Sequence, residues 1–332
     1  MLKYLNLHIG LEKTGTTSIQ EFLYMNQAAL LRRGFWLPGC LGHKNHKLLA
    51  AFGFDVGSRD IAVTSAGVGS SSEAVDDFRE KLRESLRRSV ESASGKIGII
   101  TSEDLSRLAR ADEVSRVVRL ASEIAEEVRV IAFIRRQDIL ATSRFYSLVR
   151  GGSAHEQVIP DIESTPKYYN FFWNIGLWID AVGADNVLVR RFPERPEDEG
   201  FNSILEFCDI VGIDASSLDK IKAQHVSLDA VNQILMQEFN RIKVGYDPDG
   251  IEWLMGLIEP LNDRSLGQIP SEKQARQFYD RFRQGNLALL RRLKAEDQMF
   301  SEDFSMYSSE SMRPKFQQLA LQRLLLVLGR YR

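Results

Sequence analysis

Apolar and polar positions follow two different periods along the first two thirds of this chain. Short apolar runs predict β-strands near residues 3–9, 96–101, 128–134 and 186–192. Apolar residues three and four apart predict helices near 16–33, 73–93, 112–126, 167–182 and 201–211, with another that ends near 149. Strands that alternate with helices are typical of a parallel sheet covered by helices on both faces. Past residue 216 only helical patterns follow, so we predict an α/β core over 1–215 and a C-terminal helical subdomain over 216–332.

The turn after the first strand carries the first candidate chemistry. Residues 10–18 read Gly-Leu-Glu-Lys-Thr-Gly-Thr-Thr-Ser. A strand, a glycine turn and a helix start together direct backbone N–H groups and a positive helix end at one point, where an anion can bind. A nucleotide-triphosphate P-loop has a lysine after its second glycine, but here Thr16 holds that place and the cation is Lys13. This favours a nucleotide with one 5′-phosphate and a transferable group over ATP. The alternative is an ordinary loop with Thr16 or Thr17 as helix N-cap.

A second anion-binding pattern follows the apolar run at 128–134. Arg135 stands at the end of this predicted strand, and Ser143 lies eight positions later on the next predicted helix. A guanidinium group binds phosphate through two parallel hydrogen bonds, and a serine hydroxyl can donate another. The alternative is that Arg135 and Arg136 form a solvated strand end and that Ser143 is an incidental helix residue.

Both patterns together resemble the sulfotransferases that use 3′-phosphoadenosine 5′-phosphosulfate (PAPS). The string Lys13-Thr14-Gly15-Thr16-Thr17 is similar to their 5′-phosphate loop, and Arg135 with Ser143 matches the pair that holds their 3′-phosphate. The chain is most similar to the bacterial type of this family. The resemblance implies a P-loop-like α/β fold and no metal. It further implies that the residues binding the 5′-phosphate are Lys13, Thr14, Gly15, Thr16, Thr17 and Ser18. Two departures are Arg136-Gln137, where the family often has Asp or Asn and then Pro, and the lack of a C-terminal R-K-G-x-x-G loop.

Glu103 is the candidate general base. It follows the predicted strand at 96–101, and ligands of open α/β sheets bind beyond the carboxyl ends of the strands. Lys13, Glu103 and Arg135 are therefore expected to converge. In the family that this chain resembles, a His or Glu at an equivalent position takes the proton of the acceptor. The alternative is that Ser102 with Glu103 or Asp104 caps the next helix.

His43 and His46 form the one histidine pair of the sequence. Two histidines three positions apart, with no cysteine beside them, are too few ligands to predict a metal site. Their Gly- and Lys-rich loop suggests acceptor binding or an alternative base, and an exposed loop without function is the competing interpretation.

Composition limits the partners of this protein. The 332 residues include 43 Lys and Arg against 45 Asp and Glu, a net charge of −2 that favours neither nucleic acid nor an anionic membrane. Two cysteines indicate a reducing compartment, and we expect a cytoplasmic protein without a membrane-spanning segment. The apolar run at 319–328 is expected to pack on the body of the protein or on a dimer partner, with membrane contact as a lesser alternative.

The sequence thus predicts an enzyme that moves a sulfuryl group from PAPS to a hydroxyl or amine, with adenosine 3′,5′-bisphosphate as product. A carbohydrate or glycolipid acceptor is favoured. Two other classes fit the same residues. One is a nucleotide or small-molecule kinase with a degenerate P-loop, and the other is a catalytically silent nucleotide-binding partner protein.

Overall fold

The strands of the protein form one parallel sheet. The computed structural model describes residues 1–160, 167–194, 201–221, 228–242, 245, 247–263, 266–295 and 298–329. The strands are β1 (Leu2–His8), β2 (Phe35–Trp36), β3 (Ile97–Thr101), β4 (Ala125–Ile134) and β5 (Val187–Arg191). They lie in the order β2-β3-β1-β4-β5, and every neighbouring pair is parallel. The four strands predicted from apolar runs are confirmed, whereas β2 has only two residues and is too short to show a period.

Helices make up most of the remaining described chain. They are α1 (Thr16–Met25), α2 (Gln27–Arg32), α3 (Lys47–Gly53), α4 (Ile61–Ser65), α5 (Ser72–Glu91), α6 (Ala111–Ser122), α7 (Gln137–Arg150), α8 (Phe171–Val182), α9 (Ser203–Val211), α10 (Ala230–Ile242), α11 (Pro248–Ile258), α12 (Glu272–Arg292) and α13 (Arg313–Gly329). A 3₁₀ turn over Glu103–Arg107 follows β3. The predicted helical extension is confirmed by α10 to α13. Within the described ranges, no helix is both long and apolar enough to cross a bilayer.

Both faces of the sheet are covered by helices, as predicted. On one face, Ile131 and Phe133 of β4 share a buried apolar cluster with Phe22 of α1 and Phe207 of α9. Side chains alternate between the faces of a strand, so Val130 and its alternate neighbours point the other way, and α6 and α8 contact β4. Burial of strand residues on both faces explains why their runs read as continuously apolar.

The strand order places a crevice at the carboxyl edge of the sheet. After β1 the chain crosses to the β2 side, and after β4 it continues in the opposite direction to β5. Neighbouring strands whose connections leave in opposite directions open a gap between their carboxyl ends, where ligands of α/β proteins bind. The turn at residues 10–18 follows β1 and Arg135 follows β4, while Glu103 comes after β3, the neighbour of β1 on the other side.

The chain divides into two compact units that are interleaved in sequence. The first comprises residues 1–135, 167–222 and 285–299, and the second comprises 136–166, 223–284 and 300–332. The sequence predicts instead a single boundary after residue 215. The first unit holds the sheet. The second has its own apolar core, to which α7, α10, α11 and α13 contribute.

Arg136 is a structural residue of the second unit. Its guanidinium is fully buried and binds both carboxylate oxygens of Asp138, at 2.8 and 3.0 Å. The Tyr307 hydroxyl donates to the same carboxylate at 2.7 Å, and the Phe304 ring centroid lies 4.3 Å from the guanidinium carbon. The solvated strand end considered from the sequence therefore does not describe Arg136, whose charge is paired inside the fold.

His46 is expected to make stability depend on pH. The Thr101 N–H donates to its Nδ1 at 2.9 Å, and burial lowers the pKa of the ring to about 4, from an ordinary value of 6.5. As the pH falls below 6.5, His46 of the unfolded chain binds a proton, whereas His46 of the folded chain stays neutral until about pH 4. The free energy of unfolding therefore decreases between pH 6.5 and 4, by on the order of 3 kcal/mol for this group. The thermal midpoint of His46→Asn should therefore fall less steeply with acid than that of the wild type.

The exposed neighbour provides the control for that experiment. His43→Asn removes a ring that is not buried and should leave the slope of thermal midpoint against pH unchanged. His8, whose pKa burial lowers to about 3, remains in both variants and contributes the same trend. Identical slopes for wild type and His46→Asn would contradict the prediction.

Candidate active site

The turn after β1 has an unusual backbone. Gly10, Lys13 and Gly15 all have positive φ angles, of 62°, 68° and 81°. This region suits glycine, and a lysine adopts it only where the surrounding structure requires it. Among the described residues, Lys294 is the other non-glycine residue with positive φ. The turn is therefore tightly specified around Lys13.

Threonine hydroxyls hold this turn together from inside. Thr14 and Thr16 are buried, and both hydroxyls donate to the Leu11 carbonyl, at 2.6 and 3.4 Å. Their hydroxyls therefore serve the turn itself, which leaves backbone N–H groups as their means of binding an anion. Thr17 is exposed and Ser18 is half-buried. Phosphate binding by these residues stays a prediction.

Helix α1 begins without a side-chain cap. Its N-cap is Gly15, so neither threonine considered from the sequence is the cap, and its first turn contains no acidic residue. By contrast, the N-cap side chains Ser71, Asn170 and Asn202 of α5, α8 and α9 accept backbone hydrogen bonds. The positive end of α1 and its first-turn N–H groups are therefore suited to bind an anion.

Glu103 lies against this turn. A Cβ atom added at Gly10 would come within 2.9 Å of the Glu103 Cα and 3.2 Å of the Thr16 hydroxyl oxygen, so only glycine permits this approach. Burial is the main reason that the pKa of Glu103 is raised to about 7, and the charges of Glu12 and Asp104 raise it further. The charges of Arg107 and Lys13 oppose this. Near neutral pH this carboxyl can therefore both accept and release a proton.

Arg107 joins the turn to the segment after β3. Its guanidinium binds both oxygens of Asp60 at 2.8 and 2.9 Å, pairs with Asp104, and reaches Glu12 of the turn at 3.4 Å. The Tyr168 hydroxyl donates to the other Glu12 oxygen at 2.9 Å. Burial lowers the pKa of Arg107, but the carboxylates of Asp60 and Asp104 outweigh it, so the pKa is raised. The sequence analysis missed this network, because its members are far apart and match no motif.

Arg135 and the glycine turn meet at one aromatic ring. The guanidinium carbon of Arg135 lies 5.2 Å from the centroid of Phe192, which directly follows β5. The same ring lies 3.3 Å from where a Gly15 Cβ would be, and the Ser203 hydroxyl oxygen lies 2.5 Å from that point. Phe192 and Ser203 were not identified as site residues from the sequence, because neither belongs to a local motif.

The structure thus brings several predicted site residues together within the first unit. Lys13 and Glu103 interact electrostatically, Gly10 contacts Glu103, and Gly15 shares Phe192 with Arg135. Ser143 lies half-buried on α7, which belongs to the second unit, so its pairing with Arg135 stays a prediction.

The histidine pair is divided between the surface and the interior. His46 is buried and bonded to the Thr101 backbone, which gives it a structural position, whereas His43 is exposed. Acceptor binding by this loop stays a prediction. Across the described residues, no group of three or more His, Cys, Asp or Glu side chains is arranged to hold a metal ion.

Two sulfotransferases are among the solved structures that resemble this chain. One is a sulfotransferase from Alicyclobacillus acidocaldarius, 16% identical, with a TM-score of 0.42, over 80% of this chain and 98% of that one. The other is the sulfotransferase domain from the curacin biosynthetic pathway, 12% identical, with a TM-score of 0.32, over 78% of this chain and 97% of that one. No protein-family model and no curated protein sequence matches. With identities this low, the site residues themselves must support any assignment of function.

Proposed function

We propose that this protein is a sulfotransferase that uses PAPS to sulfate a hydroxyl or amine of an acceptor. The observation that carries the proposal is the contact between an uncapped glycine turn bearing Lys13 and a carboxyl, Glu103, whose pKa is about 7. The turn with Lys13 is suited to bind an anion, and the Glu103 carboxyl is suited to accept a proton.

The site suits a phosphorylated nucleotide. Gly10 and Gly15 keep the turn free of side chains at the two points where Cβ atoms would collide with Glu103 and with Ser203. The N–H groups at the start of α1 and the Lys13 ammonium would bind a 5′-phosphate, and they would stabilise the charge that grows there as a sulfuryl group departs. PAPS, when bound, supplies that sulfuryl group.

Arg135 would bind the second phosphate. Its guanidinium shares the Phe192 ring with Gly15 of the turn, so one ligand in this region can contact both. We assign it the 3′-phosphate, with Ser143 as its proposed partner. A 3′-phosphate distinguishes PAPS and its product, adenosine 3′,5′-bisphosphate, from ATP.

Glu103 would act as the general base. Its position beside the turn places a proton acceptor next to the proposed transfer point, and its raised pKa matches the requirement for a base that works near neutrality. We favour a carbohydrate or glycolipid as the acceptor. The neighbouring Asp104 could hold a metal in a kinase, but its carboxylate already pairs with Arg107 and accepts from Asn45 at 2.9 Å.

Calorimetry with the variant Arg135→Met tests the nucleotide assignment. The wild type should bind adenosine 3′,5′-bisphosphate without Mg²⁺ and more tightly than ATP with Mg²⁺. The substitution should weaken binding of the bisphosphate by about 10–100-fold, because hydrogen bonds to a charged group contribute about 1.5–3 kcal/mol. It should change the affinity for AMP little, since AMP lacks the 3′-phosphate.

Three outcomes would count against the assignment. If Arg135→Met lost the same affinity for the bisphosphate and for AMP, Arg135 would not bind the 3′-phosphate. Tight binding of ATP alone to the wild type would favour a kinase. Nucleotide binding without transfer of labelled sulfate to any of a panel of glycans and lipids would favour the silent partner protein.

A further inference from the structure

Glu12, to which the proposed reaction assigns no role, contacts two donors from separate parts of the chain. It lies in the turn after β1, directly before Lys13. The Arg107 guanidinium reaches one of its carboxylate oxygens at 3.4 Å, and the Tyr168 hydroxyl donates to the other at 2.9 Å. All these residues belong to the first unit. The Glu12 side chain therefore connects the turn both to the segment after β3 and to the segment before α8.

Both donors are held by contacts of their own. Arg107 binds the two carboxylate oxygens of Asp60 at 2.8 and 2.9 Å, and Asp60 is in turn the N-cap of α4. The Tyr168 ring packs edge-on against Tyr169 at a centroid distance of 4.9 Å, and Tyr169 is 1% exposed. Because both donors are anchored in the fold, their hydrogen bonds fix the position of the Glu12 carboxylate.

A fixed Glu12 affects the conformation of Lys13. The φ angle of Lys13 is 68°, and a residue with a side chain keeps such a conformation only where its surroundings require it. On one side of Lys13, the Thr14 hydroxyl donates to the Leu11 carbonyl at 2.6 Å. On the other side, Glu12 is held by Arg107 and Tyr168. Lys13 is therefore flanked on both sides by a residue whose side chain is anchored.

The charge of Glu12 also acts on the proposed base. Glu103 is exposed to the charges of Glu12 and Lys13 from the turn, and to those of Asp104 and Arg107 from its own segment. Burial raises the pKa of Glu103 most, and among the charges that of Glu12 raises it most. Arg107 also pairs with Asp104, so neutralising Glu12 leaves Arg107 a charged partner in this segment.

We propose that Glu12 is a positioning residue, which keeps the turn in the conformation that binds nucleotide and places a negative charge beside the base. The inference rests on the proposed function. Nucleotide binding tests the first part without any turnover, and the pH dependence of turnover tests the second.

Tyr168→Phe tests the positioning of the turn. It removes the hydrogen bond to Glu12 but keeps the aromatic ring and every charge. The affinity for adenosine 3′,5′-bisphosphate, measured by calorimetry, should fall by about 2–10-fold, because one hydrogen bond that holds the turn is lost. AMP should lose affinity by the same factor, since both ligands carry the 5′-phosphate. Arg135→Met, by contrast, is expected to affect mainly the bisphosphate.

Glu12→Gln tests the charge. The amide keeps the size of the side chain and can still accept a hydrogen bond from Tyr168. Without the Glu12 charge the pKa of Glu103 is lower, so the rise of kcat/KM should move to lower pH. Tyr168→Phe keeps that charge and should leave the rise at the wild-type pH. A purely structural role of Glu12 would change the thermal midpoint but not the pH of the rise.

Glu21→Gln is the matched control. Glu21 also belongs to an ion pair, with Lys44 at 2.5 Å, and it lies on α1 of the same unit. Its charge is not among those that raise or lower the pKa of Glu103. This change should alter neither the nucleotide affinities nor the pH of the rise.

Three results would overturn the inference. They are unchanged affinity for both nucleotides in Tyr168→Phe, an unmoved rise of kcat/KM in Glu12→Gln, and a loss of turnover in Glu12→Gln as large as that in Glu103→Gln. The last result would make Glu12 part of the chemistry itself. A wild type that binds neither nucleotide would refute the proposed function, and this inference with it. If Arg135→Met behaves as expected and Tyr168→Phe does not, the inference alone is refuted.

Discussion

Glu103→Gln is expected to lower kcat of sulfate transfer by about 10²–10⁴-fold, the usual contribution of a general base. The amide keeps the size of the side chain but cannot accept the acceptor's proton. For the wild type, kcat/KM should rise as the pH passes about 7, because only the ionised carboxyl of Glu103 is a base. The rise should be absent in the variant.

Stability separates loss of chemistry from loss of fold in this variant. The raised pKa means that the ionised Glu103 is held in the fold at a cost, through burial and through repulsion by Glu12 and Asp104. Above pH 7 the amide removes that cost, so the thermal midpoint of Glu103→Gln should match or exceed that of the wild type. Binding of adenosine 3′,5′-bisphosphate should persist.

A carboxylate at the other end of the sheet serves as the control. Glu126 is exposed near the start of β4, and Glu126→Gln should leave both kcat and its pH dependence unchanged. Unaltered turnover in Glu103→Gln would eliminate this residue as the base and would favour a histidine of the loop that holds His43 and His46.

Lys13→Gln is expected to weaken binding of adenosine 3′,5′-bisphosphate and to lower kcat by about 10²–10³-fold. The ammonium is the cationic group of the turn, and loss of one preorganised donor at a developing anion has an effect of this size. The Lys13 charge also lowers the pKa of Glu103. In the variant, the rise of kcat/KM should therefore move to higher pH.

Lys294→Gln is the matched control, because Lys294 is also a lysine with positive φ. It is exposed, and it pairs with Asp185 at 2.8 Å. This change should affect neither nucleotide affinity nor the pH profile. A Lys13→Gln enzyme whose kcat/KM rises at the wild-type pH would show that the two side chains do not interact.

The core of the fold was predictable because its strands are continuously apolar. Four strands and the helical extension follow directly from the sequence, whereas tertiary contacts decide several details. The helix predicted over 16–33 is interrupted at Asn26, whose side chain donates to the Phe22 and Asp219 carbonyls. Likewise, α5 is capped by Ser71, the middle one of three consecutive serines, a choice that composition does not determine.

The candidate site residues that the sequence indicated lie in a local glycine pattern or at the end of a predicted strand. Gly10, Gly15 and Lys13 form a local pattern, so the turn could be recognised. Phe192 and Arg107 could not, because their roles depend on which strand ends and loops meet, and a phenylalanine or arginine has many structural uses.

The interleaving of the two units bears on how the protein can be dissected. A fragment that ends at residue 215 lacks 285–299, which belong to the sheet-containing unit, and it retains 136–166, which belong to the other. Neither unit is a contiguous stretch of polypeptide. Testing what each unit does therefore calls for point substitutions in the intact chain, since no single cut yields either unit whole.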